Sequence, residues 1–319
     1  MRLIVSMVAA LAAILSAVPA AAASPAPVAR SEPPAPIAFL QRGDVWLSTY
    51  SETFRVTTEG ANSWPRLSPD RQHIAYTHAG NVRIAYVGSG PGSISVAEVT
   101  QGGDAGGVAW SPDGTHLAYR TGDVHTGLLV RLRLSSAGDA VEERTVLSRF
   151  SRRPAPRETA RQGWHELSGT NTVAWSPDGR LIAFPGGDCW AIFDECLTVL
   201  DLATNKERTV AAWGGGGVEL SGFAATPAFS GDSRKLFWTQ QEEVPDQAEP
   251  GPVRVIGMNL AVGNRWQVGA DGDTTPVHLG QGRFLVAGLS EGVEWVAYLP
   301  GDGTRGWLFQ GGQPDWQRP

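Results

Sequence analysis

Trp-Ser-Pro-Asp-Gly stands at residues 110–114 of this chain and returns at residues 175–179. Two residues after each copy comes a short apolar stretch, Leu117-Ala118-Tyr119 in the first case and Ile182-Ala183-Phe184 in the second. Weaker copies of the phrase begin at Leu67 and Phe229, and a remnant, Pro314-Asp315-Trp316, lies near the C-terminus. Self-similarity at a period of tens of residues is typical of repeat architectures. The phrase therefore bears on the fold before any single residue bears on the function.

The phrase has the chemistry of a tight turn between two strands. Pro suits the second turn position, Gly suits a later position that tolerates positive φ, and Asp can bind the backbone two residues on. The apolar residues before and after the turn predict two antiparallel strands, a and b. Two stretches of alternating apolar and polar residues follow each pair and predict strands c and d. Each repeat is therefore predicted to be one four-stranded sheet.

The two ends of the chain complete each other. Ile37-Ala38-Phe39 has the pattern of a strand b with no strand a before it, and Pro314-Asp315-Trp316 is a strand a with nothing after it. Joining them completes a sixth repeat and closes a ring, which removes the free edges of an open array. The sequence predicts an all-β fold, a six-bladed β-propeller of four-stranded blades closed by the C-terminal strand a joining N-terminal strands b–d. The predicted anchor residues that end the six a strands are Leu67, Trp110, Trp175, Phe229, Leu279 and Trp316.

The Trp-Ser-Pro-Asp-Gly-x-x-Ile-Ala-Phe phrase resembles the WD-type repeat of TolB-like six-bladed propellers. The resemblance covers about Ile37 to Pro319. It implies the fold, and it implies little about function, because the phrase belongs to the turns of the scaffold. In TolB the propeller accompanies an N-terminal α/β domain and works in the periplasm with an envelope-spanning complex. Propellers of the same type also occur beside the serine-hydrolase domains of oligopeptidases.

The N-terminus has the pattern of an export signal. Met1-Arg2 precedes an uncharged apolar run from Leu3 to Val18, and Ala21-Ala22-Ala23 offers a cleavage site. The run is shorter than the roughly 20 residues that span a bilayer, so residues 1–23 are predicted to be a signal peptide, with an uncleaved anchor as the alternative. Residues 24–36 are rich in Pro and Ala and suit a tether to the propeller, residues 37–319. We therefore expect a secreted, periplasmic or cell-envelope protein with no membrane span after cleavage.

Charge and cysteine content narrow the function classes. The formal net charge is −6, which argues against nucleic-acid binding, because such proteins normally carry a basic face. The only cysteines are Cys189 and Cys196. Disulfides persist in the compartments that exported proteins reach, so a bridge that pins one loop is predicted. A zinc site there would need two further ligands, and no nearby histidine supplies them.

Two motifs suggest catalysis or metal binding, and each has a simpler interpretation. Gly288-Leu289-Ser290-Glu291-Gly292 matches a nucleophile elbow, which requires a helix after the serine. Val293–Leu299 has the pattern of a strand, so a hairpin turn is predicted instead. Asp271-Gly272-Asp273 lacks the glutamate that an EF-hand places at its twelfth position, so a solvated turn is predicted, with another kind of calcium site as the alternative.

The recurring polar residues are assigned to the scaffold. The aspartates of the repeated turn have a sufficient local cause in the turn itself. Three of the six histidines could in principle converge in the channel and bind a metal. We nevertheless predict no catalytic residues, no metal and no cofactor.

Four long loops are the best candidates for a binding surface. They comprise a basic loop at 151–169, the cysteine loop at 189–196, a glycine-rich loop at 211–225 and an acidic loop at 240–252. Strand direction alternates within a blade, so these b–c and d–a connections share one face of the ring. Long loops in a compact fold are usually functional or disordered, and plain solvated insertions remain the alternative. The predicted ligand-binding residues are Arg152, Arg153, Arg157, Arg161, Trp164, His165, Trp190, Phe193, Glu242 and Glu243.

These observations predict an exported, monomeric, non-catalytic propeller. Its partner is expected to be a protein, such as a cell-envelope protein, or a small polar ligand bound at the long-loop face of the channel. One alternative is a metal-dependent propeller enzyme of the lyase or lactonase type. Another is a scaffold protein of the cell envelope.

Overall fold

The computed structural model describes residues 33–88, 90–122, 126–151, 164–215, 220–247 and 249–318. The predicted signal peptide at 1–23 and most of the predicted tether at 24–36 lie outside these residues. One short 3-10 helix, Asp188–Ala191, accompanies the strands of the described part. In chain order the strands are β1 (Ile37–Gln41), β2 (Asp44–Ser48), β3 (Thr53–Arg55), β4 (Asn62–Leu67), β5 (His73–His78), β6 (Asn81–Tyr86), β7 (Ser95–Glu98), β8 (Val108–Trp110), β9 (His116–Thr121), β10 (Thr126–Leu134), β11 (Val141–Ser151), β12 (Ala174–Trp175), β13 (Leu181–Pro185), β14 (Glu195–Asp201), β15 (Lys206–Trp213), β16 (Gly222–Phe229), β17 (Lys235–Glu242), β18 (Arg254–Asn259), β19 (Arg265–Val268), β20 (Thr274–Gly280), β21 (Arg283–Ser290), β22 (Val293–Leu299), β23 (Gly306–Gln310) and β24 (Gly312–Asp315).

The strands form six antiparallel four-stranded sheets, so the predicted six-bladed propeller is confirmed. The first blade has the order β24-β1-β2-β3, and the other five blades take four consecutive strands each, beginning with β4, β8, β12, β16 and β20. The first strand of each blade is its strand a. Neighbouring a strands contact one another around the ring and surround a central channel.

The ring closes as the sequence predicts. Strand β24 pairs antiparallel with β1, with Asp315 opposite Ala38 and Gly312 opposite Leu40. The adjoining Trp316 packs against a cluster that contains Ile37, Phe39 and Leu285. The first blade is therefore built from both ends of the propeller, and its edge is paired.

The hydrophobic core is divided among the interfaces between blades. Trp110, the anchor of the third blade, packs with Ala75 and Ile84 of the second blade and with Leu117 of its own. Its indole Nε1 also donates a hydrogen bond of 3.0 Å to the Arg66 carbonyl oxygen of the second blade. A buried cluster of this kind joins each of the six neighbouring pairs of blades. The apolar side chains of each blade are thus buried against those of the two neighbouring blades.

The repeated turn is held by its own serine and aspartate. Ser111 Oγ donates to Asp113 Oδ1 at 2.5 Å, and the same carboxylate oxygen accepts the Thr115 N–H at 3.0 Å. Ser111 Oγ in turn accepts the His116 N–H at 2.9 Å. The hydrogen bond from Ser111 is the main cause that lowers the pKa of Asp113. The same contacts recur at Ser68 with Asp70, Ser176 with Asp178 and Ser230 with Asp232.

The anchor predicted for the sixth blade is wrong by one residue. His278 lies opposite Phe284, the position that corresponds to Leu67 opposite Ile74 in the second blade. This blade lacks the Ser-Pro-Asp turn, and only Gln281-Gly282 separates β20 from β21. The shorter turn places His278 at the anchor position, where its ring stacks on Phe237 with centroids 5.1 Å apart.

The Gly-x-Ser-x-Gly segment is a hairpin turn, as predicted. Ser290 ends β21 and pairs with Val293 at the start of β22. The two residues between them, Glu291 and Gly292, have φ of 53° and 77°. Positive φ at both central positions is typical of a two-residue type I′ hairpin. A strand, rather than the helix of a nucleophile elbow, therefore follows Ser290.

Four of the six a strands contain a β-bulge immediately before a proline. The bulged residues Trp64, Thr226, Thr275 and Gln313 have φ between 48° and 55°. The pairing register shifts at each of these places. A bulge re-aims the side chains that follow it. In these blades the residue after the proline lines the channel.

Cys189 and Cys196 form the predicted disulfide. The bridge joins the 3-10 helix to the second residue of β14 and so closes the b–c connection of the fourth blade.

Removal of residues 314–319 should cause aggregation or a large fall in melting temperature, because β1 loses its edge partner and the Trp316 contacts. Trp316 is partly buried, so its loss contributes at most the roughly 3–5 kcal/mol that removal of a fully buried Trp costs. Thermal unfolding and size-exclusion chromatography measure the effect, and a chain ending at Gln317 is the control. A 314–319 deletion that stays monomeric with an unchanged melting temperature would show that β24 does not hold the ring closed.

Replacement of both cysteines by alanine should lower the free energy of unfolding by at most about 2.5 kcal/mol, since the closed loop is short. The effect should be local. Hydrogen exchange should rise near Trp190 and stay unchanged in β1 and β24. Faster exchange throughout the ring would contradict this assignment.

Candidate functional site

The structure describes six of the ten residues predicted to bind a ligand at the long-loop face. Arg152, Arg153, Arg157 and Arg161 lie outside the described residues. Ligand binding by the ten residues stays a prediction.

Trp164 and His165 contact the fifth blade. The Trp164 ring is tilted against Phe223 with centroids 5.9 Å apart. The His165 N–H donates to Gln241 Oε1 at 2.8 Å, and His165 Nδ1 accepts the Leu167 N–H at 3.2 Å. Burial lowers the pKa of His165. The end of the basic loop is therefore fixed against β17.

The aromatic residues of the cysteine loop belong largely to the core. Trp190 is 4% exposed and meets Phe150 edge-on with centroids 5.4 Å apart. The guanidinium carbon of Arg120 lies 4.4 Å from the centre of the Trp190 ring. Phe193 is partly buried against the same cluster. The described position of Trp190 gives it a packing role.

The two glutamates lie where the acidic loop begins. Glu242 Oε2 accepts the Trp213 Nε1–H at 3.2 Å, and Glu243 Oε2 accepts the Ser221 N–H at 2.9 Å. The Trp213 carbonyl also accepts the Asp194 N–H of the cysteine loop at 3.1 Å. The cysteine, glycine-rich and acidic loops thus meet at their described ends.

A segment of the basic loop, Trp164–Thr170, lies across the channel; we call it the channel segment. Its Leu167 is 6% exposed and belongs to one buried cluster with Trp64 of the second blade and Phe223 of the fifth. These blades stand opposite each other in a ring of six, so a cluster that unites them must span the axis. Burial and the charge of Glu166 also raise the pKa of Glu294 in the sixth blade.

The channel segment lies at the end where the a strands begin. Trp64 and Phe223 both stand near the start of their a strands, β4 and β16. Asn171, just after the segment, accepts a hydrogen bond from Arg120 of the third blade. No local pattern in the sequence indicates this arrangement, because the burial of Leu167 depends on residues of two opposite blades.

A cavity of about 300 Å³ occupies the other end of the channel. All six blades line it, through the ends of their a strands and several of the turns that follow. Each blade contributes to the cavity wall the residue before its anchor. In blades one to six these residues are Asp315, Arg66, Ala109, Ala174, Ala228 and Val277.

Arg66 and Asp315 form the charged part of the cavity wall. Arg66 Nε lies 4.0 Å from Asp315 Oδ1, and the two side chains are 15% and 11% exposed. Asp315 Oδ2 accepts the Leu67 N–H at 2.8 Å, and Arg66 Nη1 donates to the Pro65 carbonyl at 3.1 Å. Burial raises the pKa of Asp315, against the opposing effects of Arg66 and backbone N–H groups. Burial lowers the pKa of Arg66.

Aromatic rings and one more cation complete the lining. Trp110, Trp175, Trp316 and His278 all border the cavity, together with Arg318. Trp316 Nε1 and His278 Nδ1 are buried without a hydrogen-bond partner among the described residues. Burial lowers the pKa of His278 to about 4, so its imidazole is neutral at neutral pH.

In the described part of the chain, no group of three or more His, Cys, Asp or Glu side chains is arranged to hold a metal ion. Asp271 and Asp273, the candidates for a calcium turn, instead pair with Arg254 and Arg305 at 2.7 Å and 2.5 Å. Within the same residues, none of the helices has the length and apolar character that crossing a bilayer requires.

The fold is that of TolB propellers. The structure is similar to TolB from Acinetobacter baumannii with a TM-score of 0.61 and 16% identity, over 88% of this chain and 66% of that one. It is also similar to a putative TolB from Agrobacterium tumefaciens, with a TM-score of 0.55 and 16% identity, over 87% of this chain and 90% of that one. An oligogalacturonate lyase in complex with manganese gives a TM-score of 0.50 at 13% identity, over 84% and 70% of the two chains. No family model and no curated protein sequence matches the chain.

These similarities establish the architecture. The identities are low, and the chain spans just under two thirds of the Acinetobacter protein. The neighbours include both TolB and an enzyme, so the choice between binding and catalysis has to come from the site.

The lowered pKa of His278 predicts that the folded propeller loses stability at acidic pH. The unfolded chain binds a proton at this imidazole below about pH 6.5, whereas the folded chain binds it only near pH 4. Stability should therefore fall as the pH falls from about 6.5 to about 4, with the His278 contribution fully retained above that range. His278→Phe should remove about 2 kcal/mol of this pH dependence, after allowance for partial exposure.

Chemical denaturation at several pH values measures the effect. Val277→Ala, which disturbs the same strand but keeps the imidazole, is the control and should retain the pH dependence. If the free energy of unfolding of His278→Phe depends on pH as steeply as that of the unmodified chain, another group causes the acid sensitivity.

Proposed function

We propose that this chain is an exported propeller that binds a ligand in its channel without reacting with it. The observation that carries the proposal is the cavity that all six blades line, with the channel segment across its far end. Concave pockets in which aromatic and apolar side chains surround convergent polar groups are the usual form of small-molecule sites, and this cavity combines tryptophan and alanine side chains with Arg66, Asp315 and Arg318. The ligand is a small molecule or a short segment of a partner protein.

The proposed entry point is the end of the channel bordered by the repeated turns. The sequence alone predicts binding at the opposite, long-loop face. At that face the channel segment and the described ends of the loops contact one another, and Trp190 is buried. At the turn face the serine and aspartate hydrogen bonds keep the connections short. The long-loop face stays a prediction that the same experiment tests.

Export is the second part of the proposal. The signal-peptide pattern of residues 1–23 supports it. The disulfide between Cys189 and Cys196 also supports it, since such bonds persist mainly in oxidising compartments. A location in the periplasm, in the cell envelope or outside the cell fits both features.

Two alternatives follow from the fold neighbours. Similarity to the lyase keeps a metal-dependent enzyme as the second candidate. Similarity to TolB keeps a scaffold role in the cell envelope as the third. An enzyme would convert its ligand, and a scaffold would hold a protein partner at a surface outside the cavity.

A filled cavity should abolish ligand capture. The chain from Ser24 onward is incubated with fractionated metabolites and peptides, and retained molecules are identified by mass spectrometry. Ala174→Trp places a large side chain at a half-buried wall position and should remove them. Ala261→Trp, at an exposed turn, is the matched control and should retain them, provided that both variants keep their melting temperature.

The outcomes separate the candidates. A double variant, Trp164→Ala with Glu242→Gln, tests the long-loop face. If this variant no longer retains the captured molecules and Ala174→Trp still does, binding takes place at the long-loop face. Recovery of converted molecules, dependent on added metal, would favour the enzyme. Failure to retain any molecule or peptide would reject the binding role.

A further inference from the structure

One position in the wall of the channel cavity differs in charge from blade to blade. In blades three to six the residue before the anchor is small and apolar, namely Ala109, Ala174, Ala228 and Val277. In the neighbouring first and second blades the same position holds Asp315 and Arg66. A ligand that fills the cavity therefore meets a charged pair at this position in the first and second blades and small apolar side chains at the same position in the other four.

The Arg66 guanidinium has donors without acceptors in the described structure. Nη1 donates to the Pro65 carbonyl. The nearest carboxylate oxygen, Asp315 Oδ1, is 4.0 Å from Nε, beyond hydrogen-bond distance. Arg66 lines the cavity with a side chain that is 15% exposed, so a ligand in the cavity can supply acceptors for the donors that the described residues leave open. A hydrogen bond from a charged donor in a partly buried site is stronger than the same bond in water.

The carboxylates near the cavity leave this guanidinium available. Asp315 Oδ2 is occupied by the Leu67 N–H. The turn aspartates hold their own serines and backbone, and they are absent from the described lining. Arg318 adds a second cation to the lining, with its guanidinium beside Gly231 of the fifth blade. Two arginines and one carboxylate give the lining a net positive charge, which favours a ligand with a single negative group.

We infer that the channel cavity binds a small monocarboxylate, with its carboxylate on the Arg66 guanidinium and its compact apolar body against Ala109, Ala174 and Ala228. This inference rests on the proposed channel-binding function. The planar fork of arginine matches the two oxygens of a carboxylate and gives short, charge-assisted hydrogen bonds. A volume of about 300 Å³ is at the small end of ligand pockets and limits the apolar body to about one ring or a short chain.

A matched acid and amide test the inference directly. The chain from Ser24 onward is titrated calorimetrically with 3-phenylpropionate and with 3-phenylpropionamide at neutral pH. The two probes have the same apolar body and differ in charge. We expect the acid to bind at least tenfold more tightly than the amide, as charge-assisted hydrogen bonds in a partly buried site imply.

Variants assign the preference to Arg66. Arg66→Gln should bring the affinity for the acid down to that for the amide, while Arg66→Lys should keep part of the difference. Because Arg66→Gln leaves Asp315 buried without its partner, Arg66→Gln with Asp315→Asn serves as a second variant with the same expectation. Arg234→Gln removes a cation outside the cavity lining and should leave both affinities unchanged.

Each contrary result has a distinct meaning. Equal binding of acid and amide, lost from Ala174→Trp, would overturn the carboxylate assignment and leave channel binding in place. A preference for the acid that survives in both Arg66 variants would overturn the role of Arg66. Failure of both probes to bind would overturn the monocarboxylate inference, whereas the capture experiment with Ala174→Trp separately decides the proposed function.

Discussion

The pairing of β24 with β1 is the constraint on which the rest of the structure depends. It joins the last strand to the first blade, with Asp315 opposite Ala38. Every blade buries its faces against two neighbours, and the core consists of clusters at these interfaces. An open ring would expose one such interface and one sheet edge together. The same pairing also brings Asp315 beside Arg66, so closure of the ring and assembly of the charged wall are one event.

Two adjacent residues at the end of each strand a have different tasks. The anchor residue packs between blades, as Trp110 does against Ala75 and Ile84. The residue before it lies on the opposite side of the strand, because side chains alternate, and lines the channel cavity. Ala109, Ala174 and Val277 also pack against the clusters between blades, but their small side chains leave this position open to other residues. The scaffold therefore tolerates Ala174 in one blade and Arg66 in another. The fold determines which positions line the channel, and the residue at each of these positions determines whether the wall there is charged or apolar.

Much of the fold follows from local signals, and little of the site does. The turn phrase and its spacing predicted the blades and the closure, because serine, proline and aspartate specify the turn independently of distant residues. The sixth blade lacks that turn, so its anchor was assigned to Leu279 when His278 holds the position. The channel segment depends on contacts of Leu167 with two opposite blades, which no local pattern reveals. The pairing of Arg66 with Asp315 is hidden for the same reason, since the two residues are 249 positions apart in the sequence.

The two ends of the channel differ because the connections at each end differ. Turns held by their own serine and aspartate stay short and leave the channel open beside them. The connection into the fourth blade is long enough for the channel segment to cross the axis, with Leu167 buried between Trp64 and Phe223. A channel crossed at one end is a pocket instead of a pore. In such a pocket the effective dielectric constant around Arg66 is lower than in water, so the guanidinium interacts more strongly with the charges around it. The insertion that covers the far end of the channel thereby affects the electrostatics of the cavity at the near end.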